Sequence, residues 1–178
     1  RETLALAKKH KKVKAALGLH PYDIVKMSDD EIEKELTFIS KQKIIALGEI
    51  GLDFTYENKE KQIKYFKKFL DLAKKMDLPV ITHSRKAEKE LIDILEEFEM
   101  KKVILHCYCG KKKLALRAEK LGYYFSVPPR LLSSDQFQEL VKEISITTLL
   151  TETDAPYMGA KKGERNIEVA IFLTIWFI

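Results

Sequence analysis

The chain has 178 residues, 46% hydrophobic and 33% charged, enough for one sizeable core and too few for two large ones. That balance excludes a disordered chain, and only two cysteines exclude a disulfide scaffold. A net charge of +5, from 32 basic and 27 acidic residues, permits a polyanionic partner without requiring one. Along the chain, apolar runs of strand length alternate with helical patterns. Residues 3–12 read as helix and 13–17 as strand, ending in Gly18-Leu19-His20-Pro21. Residues 28–40 read as helix, with Ser28 and Glu31 spaced as a capping box. Strand 44–48 follows, then a long helix over 59–76 whose buried stripe is Ile63, Phe66, Phe69, Leu70 and Ala73. Strand 80–82, helix 87–98, strand 103–105, helix 111–121 and strand 122–127 come next. A helix over 133–144, with a second capping box in Ser133 and Gln136, leads to strand 148–151.

Six β units separated by helices predict a parallel sheet with right-handed crossovers. No Gly-rich phosphate loop of the doubly wound nucleotide folds is present. The pattern fits a TIM-type (β/α) barrel better, and a closed barrel needs eight strands. The expected fold is therefore α/β, an incomplete barrel of about six of eight units with the first two strands missing. One domain is expected over residues 1–166, followed by an apolar tail over 167–178. From Val169 to Ile178 only Thr174 is polar, and ten such residues are too few to cross a bilayer. No secretory signal opens the chain. Cys107 and Cys109, two apart on one strand, form a poor disulfide geometry. A reduced, cytoplasmic protein with no membrane partner is expected.

Four residues carry most of the chemistry: Glu49, His83, His106 and Asp154. Each ends or closely follows an apolar run, and in a parallel barrel the C-terminal strand ends converge on the face where active sites are built. A lone histidine there is more often a hydrogen-bonded structural group, and a lone Asp before Ala-Pro more often forms a turn. Two histidines and two carboxylates at strand ends favour a divalent metal doing hydrolysis. Asp154 could also orient or deprotonate an attacking water. Arg85 and Arg130 are candidates for phosphate contact, which a guanidinium makes in a bidentate way, against the equal case of ordinary surface arginines. His10, within Lys8-Lys9-His10-Lys11-Lys12, reads as a solvated helix end. Cys107 is assigned to core packing, and Glu152 is left without a role.

The blocks Gly18-Leu19-His20-Pro21, Leu47-Gly48-Glu49-Ile50-Gly51-Leu52-Asp53, Thr82-His83-Ser84-Arg85, Leu105-His106-Cys107-Tyr108 and Glu152-Thr153-Asp154-Ala155-Pro156-Tyr157 occur in this order. Together they resemble the TatD family of metal-dependent deoxyribonucleases, in the amidohydrolase-like barrel superfamily. The resemblance covers residues 1–166. It implies Glu49, His83, His106 and Asp154 as metal ligands, with Glu49 and Asp154 catalytic, and two divalent ions, Mg2+ or Mn2+ with Zn2+ as an option, in the complete site. It places His20 at the rim, contacting substrate phosphate or a metal-bound group, beside Arg85 and Arg130 as substrate contacts. DNA is the implied substrate, taken as single strands or frayed ends in an exonuclease mode. The family's first strand carries an H-x-H pair that this chain lacks, since its histidines are His10, His20, His83 and His106. Two rivals follow: an amide or ester hydrolase of the same superfamily, including one acting on aminoacyl-tRNA, and an inactive family fragment.

Overall fold

The structure, a computed structural model, describes residues 1–161, 163, 165 and 166. The predicted tail over 167–178 lies outside the described residues. Contacts divide the chain into two units, Arg1–Val103 and Ile104–Ile178.

The first unit holds helices α1 (Glu2–Lys9), α2 (Pro21–Lys26), α3 (Asp29–Ile39), α4 (Lys59–Met76) and α5 (Glu88–Glu97), and strands β1 (Ala16–Leu17), β2 (Ala46–Asp53) and β3 (Val80–Arg85). β2 is central and pairs in parallel with β1 and with β3. The predicted capping box at α3 is present. Ser28 Oγ accepts from the Glu31 N–H at 3.3 Å, and Glu31 Oε2 accepts from the Ser28 N–H at 2.7 Å. α4 packs its buried face on β2 through Tyr65, Phe66, Phe69, Leu70 and Ala73. Each such large apolar side chain contributes roughly 1.5–3 kcal/mol of transfer free energy. Gln62 is buried on that face, whereas Ile63 is only half-buried. The exchange has a polar cause: Gln62 Oε1 accepts from the Asp53 N–H at 2.9 Å, and its Nε2 donates to the Asp53 carbonyl at 3.0 Å. A glutamine thus takes a core position because it clamps the end of β2.

β2 runs five residues past the predicted end at Gly48. The pattern Gly48-Glu49-Ile50-Gly51 reads as a loop, but both glycines mark close strand approach instead. A Cβ on Gly48 would lie 2.6 Å from Ile81 Cβ, and one on Gly51, whose φ is +146°, 2.1 Å from the His83 carbonyl oxygen. The β2–β3 register slips between Leu47 and Ile50, a bulge that brackets Glu49. Two further differences are local. β1 is shorter than predicted, leaving Val13 exposed. Helix α2, not predicted, starts at Pro21 with His20 as its N-cap, a proline position that favours helix entry.

The second unit holds β4 (Val103–Leu105), across whose length the division falls, then α6 (Lys112–Lys120), β5 (Tyr124–Val127), α7 (Asp135–Glu143) and β6 (Leu149–Thr151). β5 lies between β4 and β6, parallel to both. Its core gathers Leu105, Tyr108, Ala115, Ala118, Phe125, Val127, Leu131 and Phe137. Tyr108 and Phe125 meet edge to face at 5.5 Å. The second predicted capping box is absent. α7 starts at Asp135, Ser133 Oγ donates to the Ala160 carbonyl, and Gln136 Nε2 donates to the Cys109 carbonyl. The cysteines do not share a strand: β4 stops at Leu105 and Cys107 has φ +47° in the turn beyond. Cys107 is half-buried rather than in the core. No helix among the described residues is long and apolar enough to cross a membrane.

Candidate functional site

In the first unit, the structure gathers His20, Glu49, Asp53 and His83. His83 sits mid-β3, and its ring is held from both sides. Nε2 lies 3.2 Å from Asp53 Oδ2, and Nδ1 lies 2.9 Å from Glu49 Oε1. Asp53 is buried, and its other oxygen, Oδ1, accepts from the Thr55 N–H at 2.9 Å and the Thr55 hydroxyl at 2.5 Å. Burial works to raise the Asp53 pKa, but the Thr55 hydroxyl and N–H and the His83 ring outweigh it and hold the carboxyl below its ordinary value. Asp53 is therefore an acceptor, and His83 gives it the Nε2 proton. The Nδ1 lone pair then faces a Glu49 oxygen. Two acceptors at that distance call for a cation, or a second ring proton, between them.

His20 joins this group: one donor atom from each of His20, Glu49 and His83 lies within 4.8 Å of the others, spacing that could hold a metal ion. The His20 and His83 rings meet edge to face at 4.4 Å. Burial first, then the neighbouring His83, lowers the His20 pKa against the pull of Glu49, Asp23 and Asp53, which favours the neutral ring. Its Nδ1 already accepts from the Tyr22 N–H at 3.2 Å. The neutral ring consequently carries its proton on Nε2. That makes His20 a better donor to an anionic oxygen than a metal ligand, despite the spacing.

In the second unit, His106 follows β4 and Asp154 follows β6. His106 Nε2 lies 3.5 Å from Asp154 Oδ1, and its Nδ1 lies 2.5 Å from Glu152 Oε2. Asp154 has φ +52°, a left-handed conformation that aspartate tolerates better than most residues. Glu152 Oε2 also accepts from the Ser126 hydroxyl at 2.6 Å, and Ser126 stands on β5 beside β6 in register with Leu150.

Of the seven residues singled out from the sequence, five fall into these two groups: His20, Glu49 and His83 in the first unit, His106 and Asp154 in the second. Arg85 ends β3 two residues after His83, on the same strand face, and is exposed. Arg130 lies in the 3-10 turn Pro129–Ser133 of the second unit, half-buried. Asp53, Glu152 and Ser126 were not assigned roles from the sequence. For the two carboxylates a signal existed: each stands two or four residues from a candidate ligand at a strand end. Nothing in the sequence marks Ser126.

Comparison with known proteins bears on both groups. The profile of the family described as "TatD related DNase" matches residues 1–175. The chain is 38% identical to Deoxyribonuclease TATDN3 of Homo sapiens over 84% of this chain and 57% of that protein. It is 36% identical to the uncharacterized metal-dependent hydrolase MJ1582 of Methanocaldococcus jannaschii over 92% of this chain and 65% of that one. The chain thus spans less than two thirds of the length of these curated relatives. Among solved structures, the TatD homolog YJJV of Escherichia coli K12 aligns with a TM-score of 0.88 at 32% identity, covering 99% of this chain and 72% of that one. The fold is accordingly α/β of TIM-barrel type, with six parallel strands among the described residues, as the alternation of elements predicts.

Proposed function

Because the chain belongs to the TatD related DNase family, we propose that it serves the divalent-metal-dependent hydrolysis of phosphodiester bonds in DNA. The observation that carries this reading is the Glu49–His83–Asp53 arrangement, in which buried Asp53 holds His83 Nε2 at 3.2 Å and leaves the ring's Nδ1 2.9 Å from a Glu49 carboxylate oxygen. Glu49 and His83 are the proposed metal ligands of the first unit, and His106 and Asp154 those of the second. A divalent ion so held supplies Lewis acidity and eases deprotonation of water near neutral pH. Imidazole with carboxylate suits Mn2+ or Zn2+ as well as Mg2+, and we favour Mg2+ or Mn2+ with two ions in the complete site.

The chain's own groups account for the remaining steps. Asp154 orients the attacking water and takes its proton, since its carboxylate is only half-buried and keeps oxygen surface available. In the first unit, Glu49 positions water through its half-buried carboxylate. His20 donates its Nε2 proton to a phosphate oxygen. Arg85 and Arg130 pair with phosphates, and their charge together with the net +5 draws in the strand. Single-stranded or frayed DNA ends are the proposed substrate, and a reduced, cytoplasmic setting suits two unbridged thiols.

The test is nucleotide release from an end-labelled oligonucleotide with Mg2+ or Mn2+, against EDTA and Glu49→Gln. Metal-dependent release that the substitution abolishes is expected. Release that survives either EDTA or Glu49→Gln overturns the reading, as does no release from folded protein. The archaeal relative's name, a metal-dependent hydrolase, covers a second reading as well, hydrolysis of an amide or ester. Competition between DNA and small ester or amide substrates separates the two.

A further inference from the structure

The second unit contains a hydrogen-bond chain whose direction is fixed from one end. It begins at a backbone amide, which can only donate: the Cys107 N–H points at Ser126 Oγ, 3.4 Å away. Occupied as an acceptor there, the Ser126 hydroxyl turns its own proton to Glu152 Oε2 at 2.6 Å. A carboxylate oxygen accepts and does not donate, so the group on its other side must be a donor too. That group is His106 Nδ1, at 2.5 Å. The order is therefore amide to hydroxyl to carboxylate, with the imidazole donating into the same oxygen from the far side.

We infer that Glu152 and Ser126 are positioning residues that lock His106 in its Nδ1–H tautomer and turn its Nε2 lone pair toward Asp154. Three observations converge on this. First, both hydrogen bonds fall on one carboxylate oxygen, so the ring plane and the Ser126 hydroxyl are set against a single point. Second, the other oxygen, Glu152 Oε1, is buried and has no hydrogen-bond partner among the described residues. Burying a carboxylate with half its accepting capacity unused is costly, and its hold on His106 and Ser126 is what the position provides. Third, Ser126 is itself buried, 5% exposed, on β5, and Glu152 is tied to that strand by its N–H bond to the Val127 carbonyl at 3.2 Å. The pair is thus mounted on β5 and on the residue that directly follows β6, which is hydrogen-bonded to β5. With Nδ1 protonated, the Nε2 lone pair faces Asp154 Oδ1 at 3.5 Å, a separation long for a hydrogen bond. An outer carboxylate that accepts from a ligand histidine fixes its tautomer and raises its basicity.

This inference rests on the proposed ligand role of His106 only for its purpose, and the tautomer can be read without any metal. The test uses the full chain, labelled with 15N at histidine. Four histidines give four ring patterns, of which His10 is a solvent-exposed reference. Long-range 1H–15N correlation spectra in EDTA at pH 8 are expected to show His106 as a single neutral tautomer with the proton on Nδ1. In Ser126→Ala and Glu152→Gln that pattern is expected to shift toward a mixture of tautomers, more so in Glu152→Gln. Mn2+ affinity, measured by electron paramagnetic resonance, is expected to fall about 10- to 100-fold in Glu152→Gln. A wild-type ring protonated at Nε2 overturns the proposal, as does an unchanged ring pattern in folded Glu152→Gln. The wild-type spectrum and the milder Ser126→Ala keep the question decidable if Glu152→Gln does not fold. Absence of Mn2+ binding in the wild type with the Nδ1–H pattern intact overturns the metal-ligand reading and leaves the positioning roles standing.

Discussion

Asp53 is the residue on which the first cluster turns. One oxygen takes the Thr55 N–H and hydroxyl, the other faces His83, and Gln62 holds its main chain from α4. Its carboxyl is held below the ordinary value near 3.8, so the stability it contributes is present above that pH and is lost as pH falls through the lower folded value. His20 acts in a higher window. Its folded pKa lies below the ordinary 6.5, so between those values the unfolded chain binds more protons, and stability drops as pH falls through that range. Urea unfolding from pH 7 to pH 2.5 should therefore show two losses, one beginning near 6.5 and one near 3.8. In Asp53→Asn the lower step should shrink but not disappear, since Lys64 beside Asp29 and the Ser28 cap on Glu31 hold those carboxyls low as well. The upper step should remain, and stability at pH 7 should fall by about 1–3 kcal/mol because Asn offers a donor where His83 needs an acceptor. An unchanged lower step would assign the acid limb to other carboxylates.

Among the elements, β2 shows how much a sequence can and cannot declare. Its apolar start, Ile44 to Leu47, was legible as strand, and so were β3 and the long amphipathic α4, because burial imposes periods of two and of 3.6 residues on them. Its second half was not, because Gly48 and Gly51 imitate loop composition and their reason, contact with β3, lies more than 30 residues away. Gly51→Ala places a methyl carbon against the His83 carbonyl in a conformation that side chains rarely adopt, so a loss of more than ~3 kcal/mol is expected in a thermal or chemical melt. A near-normal melt would mean that β2 and β3 separate more easily than their register implies. The candidate site was legible to the same degree. Glu49, His83, His106 and Asp154 announce themselves by residue type after apolar runs, although Glu49 and His83 turn out to lie inside longer strands. Ser126 and the holding role of Glu152 depend on which strands lie side by side, and no local pattern states that. Ser133 and Gln136 erred in the other direction: the spacing of a capping box was present, but each side chain found a carbonyl elsewhere in its unit.

For the whole molecule, charge matters more than any one contact. The chain carries a net +5, and many of its lysines sit on exposed helix faces paired only at the surface, such as Lys64 with Asp29 and Lys68 with Glu33. Such pairs contribute little to stability and are screened by salt. Their field acts instead on approach, so binding of single-stranded DNA should weaken steadily with salt, log K falling linearly with log salt concentration. A flat salt response measured by fluorescence anisotropy would argue that the polyanion is not the partner. The burial of β2 carries a consequence of a different kind. Of its eight residues only Glu49 escapes full burial. In a library of all single substitutions scored both for cellular abundance and for function, residues 46–53 should form a trough in abundance with one gap, at position 49. There alone the two scores should part, abundance surviving while function does not.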